Sequence, residues 1–304
     1  MKDIQSFFNG KFAVKTLITL SKILPAPAGY ALSQSIGWFL SQFSQSDIVS
    51  SIQSNQQVIH GENLSATELK TKAKAVLTHA GRCYYDLYHN YQDKKRVRQL
   101  VPMSDSMEAF LEFCSGDEGT IVVAPHLSNF DLVVYRLLLE GLDARILSYA
   151  DPSPGYQLQN KIRLEMGMQI QPLGDSSIGS ELVRYLKNGG VAATGVDRPL
   201  KTRKKKNMVS FFGKASSLPL GHITLALAAD VPITVVSAFM HPDGKYGFLH
   251  SGPIYLERYE NKREQIIQNA ETVFEVIEDF IRQAPEQWLM FYPVWPDVPE
   301  ESWE

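Results

Sequence analysis

The feature that most constrains this chain is an alternation of short apolar runs with helical stretches between residues 120 and 254. Thr120–Ala124 is a short apolar run in which the first four residues are β-branched, which is typical of a strand buried on both faces. Strands separated by helices predict βαβ units. We therefore predict an α/β fold with a mostly parallel central sheet flanked by helices. The other predicted strands cover 144–149, 168–170, 191–194, 233–239 and 246–254.

The chain before the first strand has a different pattern. Ser65 and Glu68 form a capping box, and apolar residues then recur at helical spacing. No strand is predicted before about Pro102, and no low-complexity linker interrupts the sequence. We expect a helical amino-terminal portion, with amphipathic helices over residues 1–50 and one continuous α/β domain over residues 51–304.

The amino-terminal apolar stretch has three interpretations. The segment from Phe7 to Leu24 is interrupted by lysines and ends at Pro25, and a second apolar segment contains Trp38 and Phe39. A secretory signal fits poorly, because Lys22 breaks the apolar core. The two segments form either helices packed on the domain or amphipathic helices that lie on a membrane with lysines at the rim. Composition alone favours packing.

Composition excludes several classes of protein. The 304 residues include 30 Lys and Arg against 33 Asp and Glu, a net charge of −3, which argues against a nucleic-acid binder. The two cysteines lie far apart, so neither a zinc module nor a disulfide scaffold is expected. We expect no bound metal, and no apolar run reaches the 18 residues of a membrane-spanning helix.

The candidate chemistry lies in the turn after the first strand. His126 precedes a predicted helix and Asp131 falls in its first turn. Ligands of open α/β sheets bind at the carboxyl ends of strands. If the turn folds the His126 ring over Asp131, the carboxylate fixes the tautomer and leaves the other ring nitrogen as a base. A substrate hydroxyl then takes the place of the triad serine. The alternative is a structural role for both residues, with Asp131 stabilising the helix dipole.

A second group of polar residues follows the strand that ends at Thr194. Asp197 and Arg198 should lie at the same sheet edge, where Arg198 either binds a phosphate, a carboxylate or an oxyanion or pairs with Asp197. A basic run then comes at 201–206, and another basic cluster lies at 94–98. Such runs are either solvated loops or contacts for anionic lipid headgroups.

The order of these motifs resembles the lysophospholipid acyltransferase superfamily, specifically its lipid A biosynthesis branch of lauroyl- and myristoyltransferases. The hallmark His-x4-Asp/Glu is His126 to Asp131, with Ser128 where glycine is frequent and Phe130 where tryptophan is frequent. The Asp197-Arg198 dipeptide resembles the phosphatidylinositol mannoside acyltransferases most. Other matching segments are Arg163 with Gly167, Phe211-Phe212-Gly213, Pro219-Leu220-Gly221, Val231-Pro232-Ile233 and Pro285-Glu286-Gln287-Trp288.

The resemblance implies an O-acyltransferase that moves a fatty acyl group from acyl-CoA or acyl carrier protein to a hydroxyl of a membrane glycolipid or lysophospholipid. His126 is then the general base and Asp131 orients it, with no cofactor besides the acyl-thioester co-substrate. The substrate contacts that we expect on this basis are Asn129, Arg163, Asp197, Arg198, Phe212 and Gly213. The alternatives are a thioesterase or lipid ester hydrolase, and a non-catalytic lipid-binding protein of the same fold.

The resemblance also changes the interpretation of the amino terminus. Members of this family dock on the cytoplasmic face of the membrane, so membrane contact becomes the favoured alternative over plain packing. We expect a peripheral protein on the inner plasma membrane, attracted to anionic lipids and not to nucleic acid. The basic residues expected to contact lipid are Lys11, Lys15, Lys201, Arg203, Lys204, Lys205 and Lys206.

Overall fold

The computed structural model describes residues 11–61, 63–149, 154–173, 176–200 and 208–295. Six strands form one sheet in the order β3-β2-β4-β1-β7-β8, and β5 and β6 form a separate hairpin. The strands are β1 (Thr120–Ala124), β2 (Arg145–Tyr149), β3 (Gln169–Leu173), β4 (Val191–Gly195), β5 (Met208–Phe211), β6 (Lys214–Ser217), β7 (Ile233–Met240) and β8 (Tyr246–Ile254).

Helices precede the sheet and connect most of its strands. The described α-helices are α1 (Lys11–Ile23), α2 (Ala26–Leu40), α3 (Asp47–Ile59), α4 (Ala66–Asn90), α5 (Lys94–Leu100), α6 (Asp105–Cys114), α7 (Phe130–Leu138), α8 (Pro154–Glu165), α9 (Ser176–Lys187), α10 (Gly221–Ala229) and α11 (Lys262–Gln283). A 3₁₀ turn at Pro285–Gln287 follows α11. The predicted capping box at the start of α4 is present.

The sheet is parallel except at one edge. β1 pairs in parallel with β4 on one side and β7 on the other, whereas β8 runs antiparallel to β7. The carboxyl ends of the parallel strands therefore meet at one edge of the sheet. The predicted α/β fold with a mostly parallel central sheet is confirmed.

Both faces of the central strand are covered. Ile121 and Val123 join a core built with the hairpin, α10 and α11, while Val122 joins a core built with α4, α6 and α7. Successive side chains of a strand point to opposite faces, so the consecutive apolar residues after Thr120 in β1 require this double cover. The double cover fixes the strand ends that position the site.

Helix α2 lies very close to α4. A Cβ atom at Gly29 would come within 2.1 Å of the Tyr85 ring, and one at Gly37 within 2.3 Å of the Thr78 hydroxyl. The opposite side of α2 is apolar and open, with Trp38 56% and Phe39 55% exposed. Whether residues 1–50 are a unit separate from 51–304 stays a prediction.

Two further results concern the sequence predictions. The β5–β6 hairpin was not predicted, because each strand has only four residues and the Phe-Phe-Gly segment at the end of β5 and the turn shows no alternation. Within the described part of the chain, no helix combines the length and the apolar character needed to cross a membrane.

Candidate active site

His126 lies just beyond the carboxyl end of β1. Its backbone N–H donates to Asp197 Oδ2 at 2.8 Å, and its carbonyl accepts from the Leu289 N–H at 2.8 Å. The ring stands edge-on to Phe130, with centroids 5.3 Å apart, and about a third of the side chain is exposed. The imidazole is thus held at the carboxyl ends of the strands while part of the ring remains exposed to solvent.

The carboxylate that binds His126 is Asp197. The distance from His126 Nδ1 to Asp197 Oδ1 is 2.6 Å, within the range of a charge-assisted hydrogen bond. The pairing follows from the register of the two strands, since Ala124 of β1 lies opposite Gly195 of β4. His126 comes two positions after Ala124, and Asp197 comes two positions after Gly195. Because a carboxylate only accepts, Nδ1 carries the proton and Nε2 of the neutral ring is the acceptor.

The segment after α11 closes over this pair. The Trp288 indole Nε1 donates to Asp197 Oδ2 at 2.7 Å, and the Ser128 N–H donates to the Gln287 carbonyl at 2.8 Å. The Gln287 amide side chain binds both backbone groups of Met240, at the end of β7. Trp288 was not predicted as a site residue. Its signal in the sequence was the Pro-Glu-Gln-Trp motif alone.

Asp197 is fully buried, yet it is kept ionised. Burial alone would raise the pKa of this carboxyl, but the interaction with His126 and the hydrogen bonds from His126 and Trp288 outweigh burial and lower it. A buried carboxylate bonded to an imidazole stabilises the imidazolium that forms when the ring takes a proton. The arrangement is a base with a fixed tautomer.

Gly195, the last residue of β4, lies directly against the His126 ring. A Cβ atom on Gly195 would come within 2.9 Å of His126 Cε1, so the ring rests directly on the backbone at the end of β4. Any larger residue there would displace the imidazole. Gly195 was not among the predicted site residues.

The expected hydrogen bond between Asp131 and His126 is wrong. Both carboxylate oxygens of Asp131 bind Arg163, with Nε–Oδ1 and Nη2–Oδ2 distances of 2.8 Å. The reason is direction: Asp131 is in the first turn of α7 and faces α8, while the His126 ring faces β4. The assignment of Asp131 as a catalytic residue stays a prediction, without the hydrogen bond to His126 on which it was based.

Three predicted substrate contacts are buried and occupied by other partners. Asn129 caps α7 by accepting from Leu132 N, and it donates to the Cys83 carbonyl at 3.0 Å. Arg163 uses two nitrogens for Asp131 and its third for Asn160. Asp197 is 0% exposed and acts through His126. Direct substrate contact by Asn129, Arg163 or Asp197 does not fit this burial.

The other predicted contacts differ in location. Arg198 is partly exposed, and its guanidinium lies 4.2 Å from the centroid of the Tyr292 ring. Phe212 and Gly213 form the turn of the β5–β6 hairpin, where the Phe212 N–H donates to Glu278 of α11. Of these three residues, Arg198 remains the strongest candidate to contact a substrate, because it directly follows the residue that binds His126.

The predicted basic contacts are only partly described. Lys15 is exposed on α1, and Lys11 is the first residue of that helix. Lys201, Arg203, Lys204, Lys205 and Lys206 lie outside the described residues. In the described ranges, no three His, Cys, Asp or Glu side chains are grouped as metal ligands.

Comparison with known proteins identifies a family. The family model described as bacterial lipid A biosynthesis acyltransferase matches residues 6–296, nearly the whole chain. The match includes His126, Asp197 and Trp288. A comparison with curated proteins found no match.

Proposed function

The chain belongs to the bacterial lipid A biosynthesis acyltransferase family and is thus an acyltransferase of lipid metabolism, and from this premise we propose how it works. It transfers a fatty acyl group from an acyl thioester, carried by coenzyme A or acyl carrier protein, to a hydroxyl of a membrane glycolipid or lysophospholipid. His126 is the general base, and Asp197 orients it. The observation that carries the proposal is the 2.6 Å contact between His126 Nδ1 and Asp197 Oδ1.

The proposed reaction is a direct transfer. The acceptor hydroxyl gives its proton to His126 Nε2, and its oxygen attacks the thioester carbonyl carbon. The tetrahedral intermediate then expels the thiolate, which takes the proton back from Nε2. An ester and a free thiol result, so atoms and charge balance, and His126 returns to its neutral form.

The two charges of the Asp197–His126 pair explain why the carboxylate is buried. When the ring takes the proton it becomes positive, and the ionised Asp197 beside it lowers the energy of that state. Buried surroundings strengthen this interaction relative to water. Asp197 does not need to take up a proton itself, which agrees with the lowered pKa of its carboxyl.

Arg198 supports a role in substrate binding. It directly follows Asp197, and its guanidinium stacks on Tyr292 at 4.2 Å, which restricts its orientation before a ligand arrives. A guanidinium suits a phosphate or carboxylate, which both coenzyme A and phospholipid acceptors contain. We assign Arg198 to an anionic group of one of the two substrates.

The proposed location is the cytoplasmic face of the inner plasma membrane, with α1 and α2 as the contact. Phe12 of α1 is 77% exposed, and Trp38 and Phe39 of α2 are more than half exposed. Lys15 is also exposed on α1, three residues after Phe12. Aromatic residues rimmed by lysines suit the interface of an anionic bilayer.

The test is an acyl-thioester assay with and without lipid acceptor, using anionic vesicles that contain lysophospholipid or glycolipid. Wild-type protein should release thiol and form acylated lipid in equal amounts, and His126→Ala should lower kcat by about 10²–10⁴-fold. Thiol release at the same rate without acceptor would identify a hydrolase instead. Binding of lipid with no turnover in either protein would identify a lipid-binding protein.

A further inference from the structure

Beneath the loop that carries His126 lies a buried group of three polar side chains. Ser128 Oγ is 3.0 Å from His79 Nε2, and the Cys83 thiol is 3.3 Å from the same nitrogen. His79 and Cys83 lie one turn apart on α4 and face the loop. The proton transfer proposed for His126 does not explain why these side chains contact each other.

Ser128 has an unusual backbone. Its φ is +52°, in the left-handed region that costs an L-residue about 1–2 kcal/mol. Such strain persists only where surrounding contacts fix the residue, and it is common at functional sites. Here the contacts are the Ser128 N–H on the Gln287 carbonyl and the hydroxyl on His79.

Ser128 cannot itself be a nucleophile. A serine in this conformation, between a strand and a helix and bonded to a histidine, resembles the nucleophile elbow of hydrolases. However, only 1% of Ser128 is exposed, so an acyl donor cannot reach its hydroxyl. Burial also lowers the pKa of His79 to about 4, so its ring is neutral at neutral pH and the contact is an uncharged hydrogen bond.

The loop is also fixed at the next residue. Asn129 donates to the Cys83 carbonyl at 3.0 Å, so α4 holds two consecutive loop residues. His126 precedes Ser128 by two residues, and its own carbonyl is bonded to Leu289. A shift of the loop at Ser128 would therefore move the His126 backbone and change the 2.6 Å contact of its ring.

We propose that Ser128 and His79 are a positioning pair: their buried hydrogen bond holds the catalytic loop so that the His126 ring stays in register with Asp197. This inference rests on the proposed function for its kinetic readout, but its structural readout does not. The pair acts through His126 and does not touch substrate.

The kinetic test compares Ser128→Ala, Ser128→Gly, His79→Phe and the double variant Ser128→Ala/His79→Phe. Each single variant should lower kcat about tenfold with little change in KM, which corresponds to one lost buried hydrogen bond. The double variant should also lose about tenfold rather than about a hundredfold, because both changes remove the same contact. His79→Gln, whose amide nitrogen lies near the position of Nε2, should recover part of kcat.

Two controls separate positioning from stability. Ser216→Ala removes another buried serine hydroxyl, bonded to the Val294 carbonyl at 2.7 Å, and should leave kcat unchanged. Ser128→Gly relieves the left-handed strain, so it should be more stable than Ser128→Ala yet equally slow. Full kcat in Ser128→Gly, or effects that multiply in the double variant, would overturn the proposal.

A readout without substrate is the NMR signal of the proton between His126 Nδ1 and Asp197. We expect this downfield signal to shift or broaden in Ser128→Ala and His79→Phe and to persist in Ser216→Ala. An unchanged signal in the first two variants would overturn the positioning role. A changed signal in a protein whose wild type transfers no acyl group would leave the positioning pair intact and reject only the proposed function.

Discussion

At the residue scale, the site depends on which carboxylate binds the histidine. Proximity in sequence favoured Asp131, five residues after His126, but α7 directs Asp131 toward Arg163. Asp197 is 71 residues away and reaches His126 because β1 and β4 are neighbours in register. Asp197 could be assigned from the sequence as the partner of His126 only if the strand order were known. His126 and Asp197 each stand two positions beyond the end of a strand, and they meet because those two strands are neighbours.

A residue-scale prediction concerns Gly195. In Gly195→Ala the new methyl group would meet His126 Cε1 at 2.9 Å, so the ring must move away from Asp197. We expect kcat to fall at least about tenfold, the equivalent of one lost hydrogen bond to a charged group. The control is Gly179→Ala in α9, where a Cβ atom meets no described atom within 4 Å. That variant should keep full activity and gain about 0.5–1 kcal/mol of stability.

At the element scale, helix α4 joins the amino-terminal helices to the sheet through Asp86. This residue is 0% exposed and accepts hydrogen bonds from Tyr30 of α2 at 2.8 Å and from Tyr246 of β8 at 2.6 Å. The Arg82 guanidinium lies near Asp86 and also stacks on the Tyr30 ring. A buried carboxylate with these partners fixes how α2 sits on the domain.

The stability contributed by Asp86 should depend on pH in a defined direction. Burial raises the pKa of this carboxyl above its ordinary value of 3.8, more than the hydrogen bonds from the two tyrosines lower it. The folded state therefore binds the proton more tightly than the unfolded state, and stability decreases as the pH rises above 3.8. We expect the free energy of unfolding of wild type, relative to that of Asp86→Asn, to fall as the pH is raised above 3.8 in a series of urea titrations. A difference that rises with pH would contradict the assignment.

The elements show what sequence patterns can and cannot predict. β1 was predictable because four apolar residues follow Thr120 without a break, and the first four of its five residues are buried, which leaves no solvent face. The hairpin of β5 and β6 was not, because its position depends on contacts such as Ser210 and Phe212 with α11, distant in sequence. The role of Trp288 was not predictable either, because its indole reaches Asp197 only after the distant carboxy-terminal segment packs against the end of β4.

At the scale of the whole molecule, α4 links the exposed aromatic face of α2, which we propose contacts the membrane, to the loop that carries His126. Gly37 of α2 lies on Thr78, and the adjacent His79 contacts Ser128 of the loop. The exposed Trp38 and Phe39 follow Gly37 directly. Helices α2 and α4 thus connect this exposed face to the loop that carries His126.

The molecular-scale prediction is that this face binds anionic membranes. Trp38→Ser combined with Phe39→Ser should weaken binding to phosphatidylglycerol vesicles at least about tenfold in a flotation assay, because two apolar side chains no longer enter the interface. The matched control is Tyr255→Ser. Tyr255 is 63% exposed, but it follows the end of β8, which lies beside the amino-terminal ends of the parallel strands. Equal loss of binding in the control would contradict the location of the face.

The most direct test of the central claim compares Asp197→Asn with Asp131→Asn in the acyl-transfer assay, with folding of both checked by circular dichroism. If Asp197 orients the base, Asp197→Asn lowers kcat by about 10²–10⁴-fold while leaving KM for the acyl donor little changed. Asp131→Asn breaks the ion pair with Arg163, so it should lower the unfolding temperature. Its kcat should stay close to that of wild type. Near-normal kcat in folded Asp197→Asn, together with a large loss in folded Asp131→Asn, would contradict the account.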